Sequence, residues 1–241
     1  NMDKLKLFWS KTNRWHRVII IFVIVELNIL PRHQLGFTCN NPALSYPFTG
    51  DTITWKHLFS TIWLLPILLI VERTYHRDKT TKPNRQALKW YKEYMFGLLV
   101  NLTVVQGLKL VVGSPRPHFF DTCSPNEALT CQGSEYISRY TCTKNQWLSQ
   151  SDKSFPSGHT SLAVHAGFFL IYYLHRRANR THPVLITQII LLLASIYCGV
   201  SRMLDHRHHW WDVTAGAIIG VPILVYTVSI NKNNFWSKRD G

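Results

Sequence analysis

The residues with the clearest chemical potential lie in a short polar segment, residues 201–212. This segment contains two arginines, three histidines and two aspartates. His208 and Asp212 are four residues apart, one helical turn, so the carboxylate can bond one imidazole nitrogen and leave the other as a nucleophile. Arg202 precedes them and adds a cation for an anionic substrate. The segment therefore contains a candidate nucleophile beside a candidate anion ligand.

A second polar group contains Lys109 and Arg116, which are seven residues apart. This spacing places them nearly on one face of a helix, which Pro115 and Pro117 then break. A lysine and an arginine so placed can bind the oxygens of an anion, the arginine as a fork and the lysine as a point charge. The alternative is a pair of side chains that extend to a membrane surface.

A third polar group, residues 155–161, comes just before an apolar run. Ser157 and Gly158 are small residues at the predicted start of a helix, where backbone N–H groups are free to bind an anion. His159 adds a side chain that titrates near neutral pH. An ordinary serine or threonine helix cap is the alternative interpretation.

Six apolar runs position these groups, and the polar segments lie at their ends. The expected spans are residues 16–31, 56–72, 93–113, 158–175, 183–200 and 212–230. The third, fifth and sixth approach the length that crosses a bilayer, whereas the others need flanking residues to complete them. We therefore predict an all-α integral membrane protein, with residues 1–241 forming one six-span domain. A soluble helical bundle is the alternative.

The basic residues predict the orientation. Of the 27 lysines and arginines, 18 fall before Val18, between the second and third spans, between the fourth and fifth, or after the last. Positive charge is concentrated on the cytosolic side of membrane proteins. Both termini are therefore expected in the cytosol, and all three polar groups at the opposite, extracellular or lumenal face. A multi-pass protein of the plasma membrane is the favoured location, with an internal membrane as the alternative.

The cysteines indicate the same orientation. Cys123, Cys131 and Cys142 crowd into one loop, and Cys39 lies in another loop on the same predicted face. Such clustering is typical of an oxidising compartment. We expect at least one disulfide within the loop or between it and Cys39, with Cys198 left free. The spacing does not determine which cysteines pair.

The net charge of +14 permits an anionic partner, but the basic residues flank apolar spans and form no continuous stripe. This pattern disfavours nucleic acid as the partner and leaves a membrane surface or an anionic substrate. A metal site formed by Asp205, His206, His208 and His209 is a weaker alternative, because adjacent histidines rarely point the same way. A homo-oligomer is left open.

In chain order the three groups read Lys-x6-Arg-Pro, Pro-Ser-Gly-His and Ser-Arg-x5-His-x3-Asp. With these motifs the sequence resembles the type 2 phosphatidic acid phosphatase superfamily, which shares its site with vanadium haloperoxidases. Further segments resemble the animal lipid phosphate phosphatases: Gly36-Phe-Thr-Cys39, Tyr46-Pro-Phe48, Asp51-Thr-Ile-Thr54, Arg116-Pro-His-Phe119 and His208-His-Trp210. The resemblance implies the phosphatase/haloperoxidase-type helical core.

The resemblance also implies roles for the candidate residues. His208 would attack phosphorus and form a phosphohistidine, Asp212 would orient it, and His159 would protonate the leaving alkoxide. The phosphoryl oxygens would be bound by Lys109, Arg116, Arg202 and the amides of Ser157 and Gly158. No metal and no other cofactor, magnesium included, would be needed. The substrates would be phosphatidate, lysophosphatidate, sphingosine 1-phosphate or ceramide 1-phosphate.

Three other functions remain as alternatives. A phosphotransferase or a polyprenyl diphosphate phosphatase of the same superfamily would use the same residues, and only a substrate panel would separate them. A non-catalytic lipid-binding relative would have lost catalytic residues, whereas His159, His208 and Asp212 are all present. An anion or lipid transporter would have polar residues deep within several spans, and this chain has few.

Overall fold

The computed structural model describes residues 12–27, 29–61, 64–65, 67–68, 83–144, 148–178 and 181–230. The described part is mostly helical with almost no sheet, which confirms the all-α fold class. Its helices are α1 Arg14–Glu26, α2 Trp55–Ser60, α3 Pro83–Val112, α4 Phe119–Cys123, α5 Leu148–Ser151, α6 Gly158–Arg177, α7 His182–Leu204 and α8 Trp210–Ile230. Short 3-10 helices occupy Pro42–Leu44 and Asn126–Leu129, and two-residue strands occupy Phe37–Thr38 (β1) and Tyr136–Ile137 (β2).

Three described helices are long and apolar enough to cross a membrane, Leu88–Val112, His182–Leu204 and Trp210–Ser229. They coincide with the third, fifth and sixth expected spans. The fourth expected span corresponds to α6, which has 20 residues and is mostly buried by its neighbours. The second expected span lies partly outside the described residues, as do the basic segment before α3 and both chain ends. The protein is therefore a helical membrane protein, and the count of six spans stays a prediction.

The first span is shorter than expected, because α1 ends at Glu26 and not near residue 31. The chain that follows bonds to the end of α3: the His33 and Leu35 amides donate to the carbonyl oxygens of Leu110 and Gly113, at 2.9 and 3.0 Å. The last carbonyl oxygens of a helix receive no hydrogen bond from within the helix, so they are free to accept such bonds. Glu26 is paired, since Gln106 Nε2 donates to its carboxylate at 2.7 Å.

Helix α6 lies at the centre of the bundle and packs against α3, α7 and α8. Small residues permit close approach: a Cβ atom at Gly216 of α8 would lie 2.4 Å from the Ser157 carbonyl oxygen. Asn101 of α3 joins α6 through a buried hydrogen bond, accepting from Ser161 Oγ at 2.9 Å. Membrane helices pack through such small residues and interhelical hydrogen bonds. These contacts bring the C-terminal end of α3 and the N-terminal ends of α6 and α8 together.

The loops at this end of the bundle form a disulfide-linked cap. Disulfides join Cys39 to Cys131 and Cys123 to Cys142, whereas Cys198 is free and buried. Both kinds of pairing that the cysteine pattern allowed are therefore confirmed. Strands β1 and β2 pair antiparallel inside the cap, and its apolar centre contains Phe37, Leu44, Phe119, Cys123 and Tyr140.

Candidate active site

The three polar groups converge at the capped end of the helix bundle. The candidate side chains of Lys109, Arg116, His159, Arg202 and His208 are all buried, with 6% or less of their surface exposed. Arg202, His208, Lys109 and Arg116 all lie near enough to His159 to interact with it electrostatically, so the five side chains belong to one site. Four helices and two connections therefore supply one buried, strongly basic site. Its remaining candidates are Ser157, Gly158 and Asp212.

The nucleophile candidate lies in the turn between α7 and α8, not within a helix. Helix α8 begins only at Trp210, and His206 adopts a left-handed conformation with φ of 51°. The expectation that His208 and Asp212 share one helical turn is therefore wrong. The turn is held by the Arg202 carbonyl oxygen, which accepts hydrogen bonds from the amides of Arg207 and His208 at 3.0 and 3.2 Å.

Asp212 nevertheless lies beside the imidazole of His208. Its Oδ2 atom is 3.8 Å from His208 Nδ1, which is longer than a hydrogen bond. This oxygen accepts hydrogen bonds from Ser154 Oγ at 2.6 Å and from the His209 amide at 2.9 Å. Asp212 Oδ1 and His208 Nδ1 are both buried without a hydrogen-bond partner. A hydrogen bond from Nδ1 to this carboxylate would fix the imidazole tautomer.

Burial determines the protonation state of His208. Desolvation lowers its pKa to about 3; the nearby carboxylate of Asp212 opposes this shift, and the charges of Arg116 and Lys109 add to it. The imidazole is consequently neutral at physiological pH. A neutral ring with a carboxylate near Nδ1 leaves Nε2 with a free lone pair, as a nucleophile requires.

Ser157 caps α6 but does not offer its amide to an anion. Its side chain accepts from the Thr160 amide at 3.4 Å and from Thr160 Oγ1 at 2.9 Å. The Ser157 amide donates to the Asp212 carbonyl oxygen at 3.0 Å. The expected role of this amide in binding phosphate is therefore wrong, because it joins α6 to α8. The amides of Gly158 and His159, in the first turn of α6, have no acceptor within the helix. They form the positive end of the helix dipole.

The four cations of the site fall into two classes. Arg202 is held by two carboxylates: its Nη1 donates to Asp51 Oδ1 at 2.8 Å and its Nη2 to Asp205. Arg207 Nε also lies 3.0 Å from Asp51 Oδ1. Lys109 and Arg116 form no ion pair with any described residue. These two buried cations are therefore available to an incoming anion.

Arg116 does not lie on the same helix as Lys109. Helix α3 ends at Val112, and Arg116 follows in an irregular segment. The Arg116 amide donates to the Ser151 carbonyl oxygen at 2.9 Å. The expectation of a shared helical face is wrong because the helix stops before Pro115. Burial, and secondarily the charge of Arg207, lower the pKa of Arg116 to about 9. Its guanidinium stays protonated at neutral pH.

Sequence reasoning assigned no role in the site to five residues that complete it: Asp51, Trp55, Gln150, Ser154 and Arg207. Asp51 pairs with Arg202 and Arg207, Ser154 donates to Asp212, and Trp55 lies over His159 with ring centroids 4.2 Å apart. Arg207 also donates from Nη2 to Gln150 Oε1 at 2.8 Å. Asp51 and Trp55 lie in or beside the Asp-Thr-Ile-Thr segment, so that segment was the available signal.

The alternative metal site does not assemble. The Asp205 carboxylate accepts from Thr52 Oγ1 at 2.6 Å. The His206 ring stacks on Tyr46 at 4.1 Å, and the His209 ring stacks on Trp211 at 4.3 Å. These side chains point to separate partners, and in the part of the chain that the structure describes no three histidine, cysteine or acidic side chains form a metal-binding group.

Comparison with known proteins identifies the family. Residues 90–236 match the PAP2 superfamily. Phospholipid phosphatase 2 of Mus musculus is 28% identical over 90% of this chain and 83% of its own length. Phospholipid phosphatase 1 of Mus musculus is 30% identical over 80% and 73%, and a putative phosphatidate phosphatase of Drosophila melanogaster is 28% identical over 84% and 61%. The chain belongs to the PAP2 superfamily of membrane phosphatases.

Proposed function

We propose that this protein hydrolyses lipid phosphate monoesters through a phosphohistidine on His208. The observation that carries this proposal is the neutral, buried imidazole of His208, which lies beside Asp212 and near two cations that form no ion pair, Lys109 and Arg116. A neutral imidazole can attack phosphorus, and adjacent cations stabilise the charge that develops on the phosphoryl oxygens. Phosphatidate, lysophosphatidate, sphingosine 1-phosphate and ceramide 1-phosphate are the substrates we propose.

The first step forms a bond between phosphorus and Nε2 of His208 and breaks the bond to the leaving oxygen. Asp212 stabilises the proton on Nδ1 as the ring becomes positive. His159, on the first turn of α6, is protonated in the complex because the negative phosphate of the substrate lies beside it; it donates this proton to the leaving alkoxide, and the lipid alcohol departs. The phosphoryl oxygens lie against Lys109, Arg116, Arg202 and the Gly158 amide.

The second step hydrolyses the phosphohistidine. His159, now neutral, accepts a proton from water as the water oxygen attacks phosphorus, and the bond to His208 breaks. Inorganic phosphate leaves and the starting protonation states return. The positive side chains and amides supply the charge stabilisation, so the chemistry that we propose needs no metal.

The location we propose follows from the cap. The site lies at the same end of the bundle as both disulfides, and disulfides persist in oxidising compartments. We infer that the site faces the extracellular or lumenal side, with both termini in the cytosol. A lipid whose chains remain in the outer leaflet could then present its phosphate to the site.

The test combines phosphate release with trapping of the intermediate. His208→Ala is expected to abolish both turnover and acid-labile, base-stable labelling, because it removes the attacking nitrogen. His159→Ala should slow lipid esters by about 10²–10⁴, as is typical when acid–base catalysis is lost. His182→Ala is the control, since this histidine is exposed at the opposite end of α7. Activity should persist in EDTA and be inhibited by vanadate. A label that persists in His208→Ala, or activity that returns only with added zinc or magnesium, would refute the proposal.

A further inference from the structure

The aromatic ring of Trp55 covers the side of the site where His159 lies. The ring centroids of Trp55 and His159 are 4.2 Å apart. A Cβ atom placed on Gly158 would lie 3.5 Å from Trp55 Cη2 and 3.7 Å from Lys109 Nζ. The tryptophan ring, the first turn of α6 and a candidate phosphate ligand therefore meet around one point.

Helix α2 continues this aromatic surface away from the site. Phe59 lies one turn after Trp55, about 6 Å further along the helix, and the two rings stack with centroids 5.6 Å apart. Trp55 is 38% exposed and Phe59 is 41% exposed, whereas Leu58 between them is packed into the core at 6%. One face of α2 therefore packs against the bundle. The other face presents two accessible aromatic rings, the first of which contacts His159.

A second exposed tryptophan, Trp210, lies at the same end of the bundle and serves as a comparison, because no contact between its ring and His159 is part of the site. Trp210 is 66% exposed, and its ring contacts that of Trp211. Tryptophans commonly lie at the membrane–water interface, and Trp210 fits that role. Trp55 differs because its ring lies directly against the imidazole that we assign as the general acid.

The reaction geometry indicates what this surface binds. The leaving oxygen must lie opposite His208 across phosphorus and within hydrogen-bond reach of His159. The carbon chain attached to that oxygen therefore leaves the site beside His159, where Trp55 and then Phe59 provide apolar surface. We propose that these two residues form the subsite for the hydrocarbon chain of the leaving lipid alcohol and determine the preference for lipid esters. This inference rests on the proposed function, because it uses the role of His159.

Three phosphate monoesters separate this role from an indirect effect on His159. Dioctanoyl phosphatidate has a poor leaving group with hydrocarbon chains, glycerol 3-phosphate has a poor leaving group without them, and p-nitrophenyl phosphate has a good leaving group without them. In Trp55→Ala and in Phe59→Ala, the ratio of kcat/KM for dioctanoyl phosphatidate to kcat/KM for glycerol 3-phosphate should fall roughly tenfold. That factor corresponds to about 60 Å² of apolar surface lost from the chain contact.

Two further variants make the experiment specific. Trp55→Phe retains an aromatic surface and should keep most of the preference, whereas Trp210→Ala should leave the ratio unchanged. The proposal is overturned if glycerol 3-phosphate and the lipid lose activity equally while p-nitrophenyl phosphate does not, because Trp55 would then act through His159. It is also overturned if all three substrates lose activity equally or if Trp210→Ala changes the ratio as much. Failure of the proposed function has a different signature, since His208→Ala would then still hydrolyse p-nitrophenyl phosphate.

Discussion

Replacing Lys109 by methionine should make the unliganded protein more stable while weakening its affinity for a phosphate analogue. Lys109 is 6% exposed and has no ion-pair partner in the described part of the chain. The charges of Arg116, Lys153 and Arg207 repel it, and only Asp212 attracts it. Burying an ion without a partner costs several kcal/mol, and apolar replacements of buried ions often stabilise a protein by about 1–4 kcal/mol.

The two expected effects have opposite signs: the variant is more stable without ligand, and it gains less stability from ligand. Without ligand, the free energy of unfolding of Lys109→Met should rise by about 1–3 kcal/mol, which corresponds to about 2–12 °C in Tm. At a vanadate concentration 100 times Kd, the wild-type protein should gain about 2.7 kcal/mol. Loss of one charged hydrogen bond should raise Kd about 10- to 100-fold. The gain in the variant at the same concentration would then be about 0.4–1.4 kcal/mol.

Thermal unfolding in detergent, with and without vanadate, measures both effects. Lys144→Met is the matched control, because Lys144 is exposed in the cap and lies 3.4 Å from Asp121. This control should show the wild-type response to vanadate. The reasoning would be refuted if Lys109→Met lowered Tm without ligand or retained the full vanadate shift.

Two other predictions follow from the fold and from the buried histidine. In Gly216→Ala the new methyl group would lie 2.4 Å from the Ser157 carbonyl oxygen, so α8 should move away from α6. Because a displacement of site residues by about 1 Å slows catalysis strongly, kcat should fall at least about tenfold. Gly107→Ala, which has open space around it, should retain activity, and equal losses in both would contradict this packing argument. Because His208 has a pKa of about 3 when folded and about 6.5 when unfolded, only the unfolded state gains its proton as pH falls from 7 to 5. Stability should therefore decrease over that range, and His208→Gln should remove about 2 kcal/mol of the decrease. If the Tm of this variant depended on pH as the wild-type Tm does, the imidazole would be charged in the folded protein.

The length of apolar runs predicted α3, α7 and α8, because a membrane span needs a nearly continuous apolar sequence. The convergence of Lys109, His159 and His208 was predicted from their positions at the ends of such runs. Helix boundaries within the polar segments were less predictable. The residues from Asp205 to His209 continue a helical spacing in sequence, but the left-handed His206 ends α7 and places His208 in a turn.

The ion pairs of the site were not predictable from local patterns. Asp51 and Arg202 are 151 residues apart in sequence, so no helical or strand spacing relates them. The role of the Ser157 amide depends on the backbone of Asp212, which only the approach of α8 at Gly216 brings within reach. Tertiary packing therefore determined which cations are paired and which amides remain available.

The turn held by the Arg202 carbonyl oxygen ties the proposed nucleophile to a proposed phosphate ligand within seven residues of chain. The side chain of Arg202 would contact the substrate, and its carbonyl oxygen accepts the hydrogen bond from the amide of His208, so the two residues are joined directly through the backbone. His159 belongs to a different helix. A shift of α6 relative to α7 would therefore move the proton donor and the Gly158 amide away from the nucleophile, while leaving Arg202 and His208 together. Evolution or a designer could alter the leaving groups that such an enzyme accepts by changing the contact between two helices, leaving the phosphorus-attacking unit intact.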